Sequence, residues 1–210
     1  MKQAEKSQIT YDKILQAAII EFGTKSYDAS SLNTICVNNN ISKGLMYHNF
    51  RNKDALYLQC VTLCFDEITM YLSKEEYTSE NYQENIKKLI DLRFRFFQEN
   101  PYYKSIFFNS LFQPPKHLSA EIKQIRKQFD AFNALQYTSI IQRVTLREDI
   151  SEKEALEYFF IFQDMFNGYF QSKTFENHTM IDLISDHEKH LTKLLNILLY
   201  GIAKEESAHA

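Results

Sequence analysis

The chain has 210 residues, of which 44% are hydrophobic and 24% are charged, and its formal net charge is −3. This is the composition of a globular protein rather than a disordered one, and its four scattered glycines cannot form a glycine-rich phosphate loop. No run of about 18 apolar residues occurs, and the first residues lack the apolar region of a signal peptide. We therefore expect a cytoplasmic protein with no membrane segment.

Charge is distributed unevenly along the chain. Residues 1–60 carry seven Lys or Arg against five Asp or Glu, a net charge of +2, whereas residues 61–210 carry −5. Any attraction for nucleic-acid phosphates must therefore be local to one face of the N-terminal part. Three cysteines, an odd number on predicted helices, indicate reduced and buried thiols.

The N-terminal part predicts three short helices. Residues 10–25 have apolar side chains at helical spacing. Ser31 and Ser42 can each begin a further helix, because a serine hydroxyl accepts a hydrogen bond from an otherwise unpaired amide at a helix start. Between these two helices lie residues 38–40, all Asn, a residue that tolerates the left-handed conformation in which helices end. A helix, a tight turn and a capped helix predict a helix-turn-helix.

The third helix carries the most specific chemistry of the chain. Lys43 can reach phosphate or guanine, and Gly44 has no side chain to prevent a close approach. Tyr47 and His48 follow one turn later and can face the same side. Such a helix can lie in a DNA groove and contact both phosphates and base edges.

Residues 14–61 resemble the DNA-binding domain of the TetR (tetracycline-repressor) family of transcriptional regulators. The matching residues, in the family's order and without a gap, are Ile14, Leu15, Ala17, Ala18, Phe22, Tyr27, Asp28, Ala29, Ser30, Ser31, Ile35, Ile41, Ser42, Lys43, Gly44, Tyr47, His48, Phe50, Lys53 and Leu56. The resemblance implies that DNA is contacted by Ser31, Lys43, Tyr47 and Lys53. The candidate DNA-binding residues are these four together with Asn33, Ser42, Gly44 and His48.

Two positions depart from the family pattern. Asn40 stands in the turn where the family usually has Gly, and it is a physically acceptable substitute. Leu45 stands where the family often has Thr, which can donate to phosphate. Leucine cannot donate, so Leu45 either reads a thymine methyl group or packs inward, and it is not included among the candidates.

The remaining sequence predicts further helices and an all-α fold of about nine helices. We expect helices at residues 54–73, 85–98, 102–112, 117–146, 151–173 and 180–203, with a capping box formed by Ser151 and Glu154. Residues 7–53 would form a three-helix, helix-turn-helix DNA-binding domain. Residues 54–204 would form a helical effector-binding and dimerisation domain, and the helix at residues 54–72 would link the two.

The middle helices are rich in Phe and Tyr. Core packing is the ordinary interpretation of any one of these residues, whereas the functional interpretation is an apolar ligand cavity with a few polar anchors. The TetR resemblance implies an effector pocket in this part of the chain. The candidate ligand-binding residues are Arg93, Phe97, Phe108, Asn109, Phe112, Phe129, Phe132, Phe162, Gln163 and Phe166.

The last two helices indicate a homodimer. Residues 151–173 have aromatic side chains almost all round the helix, and a helix of this kind must bury both faces. Residues 180–203 carry a broad leucine-rich stripe. We expect the helices at 151–173 and 180–203 of two chains to form a four-helix interface, the alternative being a monomer core.

No constellation for catalysis or for a cofactor is present in the sequence. Neither an HExxH motif nor paired CxxC motifs occur, and no nucleophile with its acid and base can be picked out. His187 and His190 could bind a metal ion at their spacing, but histidines on a polar helix face are the more ordinary interpretation. We expect no enzymatic activity, no cofactor and no metal.

The preferred hypothesis is a ligand-responsive DNA-binding transcriptional regulator, and more specifically a repressor that a small, largely apolar effector releases from a palindromic double-stranded operator. The alternative is an α-helical binding protein whose N-terminal part docks on a protein partner rather than on DNA.

Overall fold

A computed structural model describes residues 3–176 and 178–203 of the chain. Within them the chain forms nine α-helices, so the predicted all-α fold is confirmed. The helices are α1 (Gln3–Thr24), α2 (Leu32–Asn38), α3 (Lys43–Asn49), α4 (Lys53–Ser73), α5 (Tyr82–Glu99), α6 (Pro101–Phe112), α7 (Ser119–Ile141), α8 (Glu152–Lys173) and α9 (Met180–Ile202), with a 3₁₀ helix at Lys116–Leu118. None of the described helices combines the length and the apolar character needed to cross a membrane.

The helices belong to two compact units. The first comprises Met1–Ile68 and Phe97–Lys127, and the second comprises Thr69–Phe96 and Gln128–Ala210. Each unit is a group of residues that pack together, and each is built from two separate segments of the chain. The sequence predicted a different, functional division into domains at residues 7–53 and 54–204, and this division stays a prediction. Residue 204 lies outside the described residues.

The core of the first unit joins α6 to the N-terminal helices. Phe22, Phe65 and Phe107 are all buried, and the rings of Phe65 and Phe107 lie 5.0 Å apart. At Gly23, α1 passes so close to α6 that an added Cβ would lie 2.6 Å from Cβ of Tyr102. The absence of a side chain at this position therefore permits the close approach of the two helices.

The core of the second unit draws on four helices. One apolar cluster contains residues from α5, α7, α8 and α9, and within it the rings of Tyr137 and Phe159 stack with their centroids 4.1 Å apart. The buried members are Ile86, Tyr137, Ile140, Ile141, Ala155, Phe159, Leu199 and Ile202. The capping box predicted at the start of α8 is confirmed, because Ser151 and Glu154 each accept a hydrogen bond from the other's backbone amide.

The prediction of one helix over residues 117–146 was wrong at both ends. A 3₁₀ turn precedes α7, which begins at Ser119 and ends at Ile141. After Ile141 the chain forms a turn, in which the amide of Val144 donates to the carbonyl of Ile141 at 3.1 Å. Leu146 then pairs with Ala203, and the amide of Arg147 donates to the carbonyl of Ile202 at 3.0 Å. The contacts of this segment with the end of α9 replace the helical bonds that the apolar spacing predicted.

The prediction of reduced, buried cysteines is confirmed. Cys36, Cys60 and Cys64 all lie in the first unit, and none forms a disulfide. Burial raises the pKa of the Cys60 and Cys64 thiols, so the reactive thiolate is disfavoured at both positions.

Candidate functional site

The turn between α2 and α3 is closed by an asparagine in the left-handed conformation. Asn40 has φ 51°, which confirms that it occupies the position where a glycine would be expected. The amide of Ile41 donates to the carbonyl of Cys36 at 2.9 Å, and the amide of Asn40 donates to the carbonyl of Val37 at 3.4 Å. These are the two bonds of a Schellman motif, which ends α2 and turns the chain toward α3.

Three apolar side chains anchor α3 and fix which of its residues face outward. Ile41, Met46 and Phe50 are buried, and the ring of Phe50 stacks on that of Tyr11 from α1 at 5.2 Å. The hydroxyl of Ser42 accepts from the amide of Leu45 at 3.2 Å, so the predicted cap is confirmed. The helix is therefore held at its start, its middle and its end.

The outer surface of α3 consists of Lys43, Gly44, Leu45, Tyr47 and His48, all of which are exposed. Tyr47 is 57% exposed and Leu45 is 45% exposed. Of the two possibilities left open for Leu45, the structure selects the outward one. Ser42 is also exposed, as is Asn33 on α2. Lys43 forms no ion pair with any residue that the structure describes.

Ser31 and Lys53 are more constrained than the residues of α3. The Ser31 hydroxyl accepts from the Asn33 amide at 3.2 Å, which confirms the predicted cap of α2. The Lys53 ammonium donates to the carbonyl of Ser30 at 2.9 Å and lies 4.1 Å from the centre of the Tyr27 ring. Lys53 thus stabilises the N-terminal helices, and its contact with DNA stays a prediction.

Two residues that follow α3 in the sequence are not among the candidate DNA-binding residues. Arg51 is an exposed cation in the turn before α4, and residues 42–53 contain no acidic residue that would have offset it. The second residue is Asp54, which accepts a hydrogen bond from the Tyr27 hydroxyl and lies 3.2 Å from Nε2 of His117. The Tyr27 hydrogen bond, followed by the one to His117, lowers the pKa of Asp54.

The first unit holds four of the candidate ligand-binding residues. Phe97, Phe108 and Phe112 are buried, and ring contacts of 5.4 Å join Phe108 to each of the other two. Asn109 is half-buried on the same helix as Phe108, α6. These phenylalanines pack against one another, as expected for a core, and their role in ligand binding stays a prediction.

The second unit holds the other six candidates, among them a polar cluster. The Arg93 guanidinium pairs with the Glu188 carboxylate at 2.9 Å, and both side chains are largely buried. Phe162 and Phe166 stack at 5.8 Å, and Phe166 lies 4.6 Å from the ring of His187. Phe129 is buried, and Phe132 and Gln163 are half-buried.

The expected location of His187 on a polar helix face was wrong. The imidazole is buried against Phe166 and Phe170, and its Nδ1 lies 3.0 Å from the carboxylate oxygen of Glu188 that also pairs with Arg93. Burial lowers the pKa of His187 and outweighs the opposing effect of the Glu188 hydrogen bond. His190, one turn on, is exposed.

The two C-terminal helices each present apolar side chains to solvent. Phe159, Phe166 and Phe170 of α8 are buried, whereas Tyr158, Ile161, Met165 and Tyr169 are exposed. On α9 the exposed apolar residues are Ile181, Ile197 and Tyr200. Gly168 lies among the exposed residues of α8, and a Cβ added there would meet nothing within 4 Å.

Among the residues that the structure describes, the second unit has a groove and a small internal space, and neither of them is lined by a candidate ligand-binding residue. A groove of about 330 Å³ on α8 is lined by Lys153, Leu156, Glu157, Phe160, Ile161 and Asp164. A second space of about 10 Å³, between α5 and α7, is lined by Tyr77, Asn85, Leu89, Gln136, Ser139 and Ile140. The second is about the size needed for a single water molecule.

Two family models match the chain. The model of bacterial regulatory proteins of the tetR family matches residues 14–60, and the model of the tetracyclin repressor-like C-terminal domain matches residues 80–204. The second match alone spans more than half of the chain. The first contains α2, α3 and the turn between them.

Individual proteins agree with these models. The chain is 32% identical over 113 residues to the biofilm operon icaADBC HTH-type negative transcriptional regulator IcaR of Staphylococcus epidermidis, a match that covers 53% of this chain and 58% of that regulator. It thus spans little more than half the length of this curated relative.

Solved structures share the fold over nearly the whole chain. A TetR-family regulator from Pectobacterium atrosepticum has a TM-score of 0.64 at 14% identity, covering 98% of this chain and 99% of the other. FadR from Bacillus subtilis, solved in complex with stearoyl-CoA, has a TM-score of 0.62 at 16% identity, covering 91% and 99%. With a helix-turn-helix formed by α2 and α3 and both family models matched, the chain belongs to the TetR family of bacterial transcriptional regulators.

Proposed function

We propose that this protein is a ligand-responsive repressor that binds a palindromic operator as a homodimer in the cytoplasm and is released by a small, largely apolar effector. Regulators of the TetR family bind operator DNA and small-molecule effectors and act as dimers. The observation that carries the proposal is the outer surface of α3, where a cation, hydrogen-bonding groups and a glycine without a side chain are all exposed. Repression is supported by the similarity to IcaR, named as a negative regulator.

In this proposal residues 7–53 bind DNA, and each protomer places α3 in a major groove. Ser31, Tyr47 and Lys53 would contact phosphates, while Lys43, together with His48 or Asn33, would contact base edges. Gly44 and the capped start of α3 at Ser42 allow the backbone to approach the duplex. Two-fold symmetry would separate the two copies of α3 by about 34–36 Å, one turn of DNA, or by a multiple of it.

The effector would bind in the domain formed by residues 54–204. The proposed contacts combine aromatic side chains with a few polar groups. Arg93 and Phe166 are an example of both, because Arg93 pairs with Glu188 and Phe166 lies against His187, which itself contacts Glu188. An effector can act only through its different affinity for the DNA-competent and DNA-incompetent states. The proposed ligand-binding residues are Arg93, Phe97, Phe108, Asn109, Phe112, Phe129, Phe132, Phe162, Gln163 and Phe166.

The homodimer would form through α8 and α9. Its support is the exposed apolar side chains of the two helices, which on α8 recur at helical spacing. Exposed apolar patches commonly mark interaction sites. The exposed Gly168 would let the partner's helices approach closely.

The Lys43→Ala substitution tests the DNA-binding role. Binding of the purified protein to the DNA flanking its own gene is measured by fluorescence anisotropy over a range of salt concentrations. Each phosphate contact contributes about 0.9 to the slope of log affinity against log salt. Because the Lys43 ammonium can reach phosphate as well as guanine, a dimer of the variant should lose affinity and up to about two units of slope.

The matched control is Lys123→Ala, which removes the same charge from an exposed position on α7 of the same unit. It should leave the affinity and the salt slope close to those of the wild type. Equal effects of the two substitutions, or none from Lys43→Ala, would contradict the role of α3. Binding to a protein and not to any duplex would support the alternative function.

A further inference from the structure

Leu45 is the one purely aliphatic side chain on the outer surface of α3. Its amide donates to Ser42, and its carbonyl accepts from the side chain of Asn49 at 2.8 Å. The backbone polar groups of Leu45 are thus occupied within the helix region. Only its isobutyl group remains to contact another molecule, and 45% of the residue is exposed.

The burial of neighbouring residues fixes this outward orientation. Met46, the next residue, is fully buried, and the ends of the helix are held by Ile41 and Phe50. Rotating Leu45 inward would expose Met46 and lose its packing. The leucine therefore stays beside His48, three residues on and on the same side of the helix.

A major groove offers one apolar group at its base edges, the 5-methyl group of thymine. The remaining groups at the base edges are hydrogen-bond donors and acceptors. A leucine packed against them would displace the water molecules to which they bond and could not form hydrogen bonds in their place. Apolar contact between leucine and the thymine methyl has no such cost. A position that can only make apolar contacts therefore discriminates among the bases.

We propose that Leu45 confers selectivity for thymine by contacting the 5-methyl group of one thymine in each operator half-site. This inference rests on the proposed function, because it requires α3 to lie in the major groove. It adds a specific element of base readout to the contacts made by the cationic and polar residues of α3.

The test uses the full-length protein and a duplex selected from a randomised DNA library. Each thymine of the selected duplex is replaced in turn by deoxyuridine, which lacks only the 5-methyl group. At one thymine per half-site the replacement should weaken wild-type binding about fourfold, the loss expected for one buried methyl group, and about 15-fold when both half-sites are changed. The Leu45→Ala variant should bind the thymine and deoxyuridine duplexes equally at that position.

The matched control is Ile20→Ala, since Ile20 on α1 is 46% exposed and thus resembles Leu45 in exposure as well as in size. This variant should keep the wild-type response to deoxyuridine. Thermal unfolding followed by circular dichroism checks that Leu45→Ala is folded, as expected for an alanine in an exposed helical position.

Two results would overturn the proposal, and they differ from each other. If every deoxyuridine replacement affects the wild type and Leu45→Ala alike, Leu45 reads no methyl group although DNA is bound. If the wild type selects no duplex from the library, the proposed DNA binding fails, and the reading by Leu45 fails with it.

Discussion

His187 is a titratable side chain held in its neutral form by its surroundings. It lies against Phe166 and Phe170, and its Nδ1 can donate to Glu188, whose carboxylate also pairs with Arg93. Burial is the largest cause of its lowered pKa. The unfolded chain has no such burial, so there the imidazole takes up a proton near its ordinary pKa of about 6.5.

The stability of the protein should therefore depend on pH through His187. Between the ordinary pKa and the lower pKa of the folded state, the unfolded chain binds more protons. The contribution of His187 to the free energy of unfolding should be complete above a pH of about 6.5. It should decrease as the pH is lowered below that value. His187→Gln should remove this part of the pH dependence in denaturant unfolding measured between pH 5 and 7.5, values chosen to span the ordinary histidine pKa of about 6.5.

His190→Gln provides the control, because His190 lies on the same helix and is exposed. It should retain the wild-type decline of stability toward low pH. A His187→Gln protein with the same decline would show that another group is responsible.

Individual residues differ in how far the sequence predicts them. Ser31, Ser42 and Asn40 were predicted correctly because caps and turns depend on local backbone geometry. His187 was not, because its burial depends on packing against Phe166 and Phe170 of α8, a contact that residue spacing within α9 does not reveal. The candidate DNA-binding and ligand-binding residues are now located in the fold, but their functions stay predictions.

At the scale of helices, α1 and α6 approach each other closely at Gly23. Replacing a glycine by alanine inside a helix ordinarily stabilises it by about 1 kcal/mol. At Gly23 the new Cβ would lie 2.8 Å from the backbone Cα of Tyr102, which cannot rotate away. We expect Gly23→Ala instead to destabilise the protein by about 1–3 kcal/mol, as overpacking does, in denaturant unfolding.

Gly201→Ala is the comparison for this prediction. Gly201 lies in α9, where an added Cβ would meet nothing within 4 Å. This substitution should be neutral or slightly stabilising. A stabilising effect of Gly23→Ala would mean that α1 and α6 are further apart in solution.

The sequence predicts the helices themselves better than their ends and contacts. Apolar spacing and capping residues identify α2, α3 and α8, because those signals lie within each helix. The end of α7 at Ile141 depends on the pairing of Leu146 with Ala203, which lies at the far end of the chain. The contact of α6 with α1 likewise requires knowledge of the folded chain.

For the whole molecule, the homodimer is the prediction with the largest consequences. Met165 on α8 is 70% exposed, and a glutamate there would put a charge into an apolar interface. Met165→Glu should convert the dimer into folded monomers at micromolar concentration, as measured by sedimentation velocity. Tight binding to a palindromic duplex should be lost together with the dimer.

Leu135→Glu is the matched control, since Leu135 on α7 is 69% exposed and lies outside the two proposed interface helices. This variant should sediment as the wild type does. A wild type that is monomeric at micromolar concentration, or a dimer that persists in Met165→Glu, would contradict the proposed interface.

The placement of the cysteines gives the protein an intrinsic reporter of local opening. All three thiols are buried in the first unit, and the second unit contains none. An alkylating reagent can therefore reach a thiol only when the first unit opens or unfolds. The rate of alkylation of the unmodified protein thus follows the opening of the first unit, which contains the helix-turn-helix, and comparing the rate with and without operator DNA measures how far binding suppresses that opening.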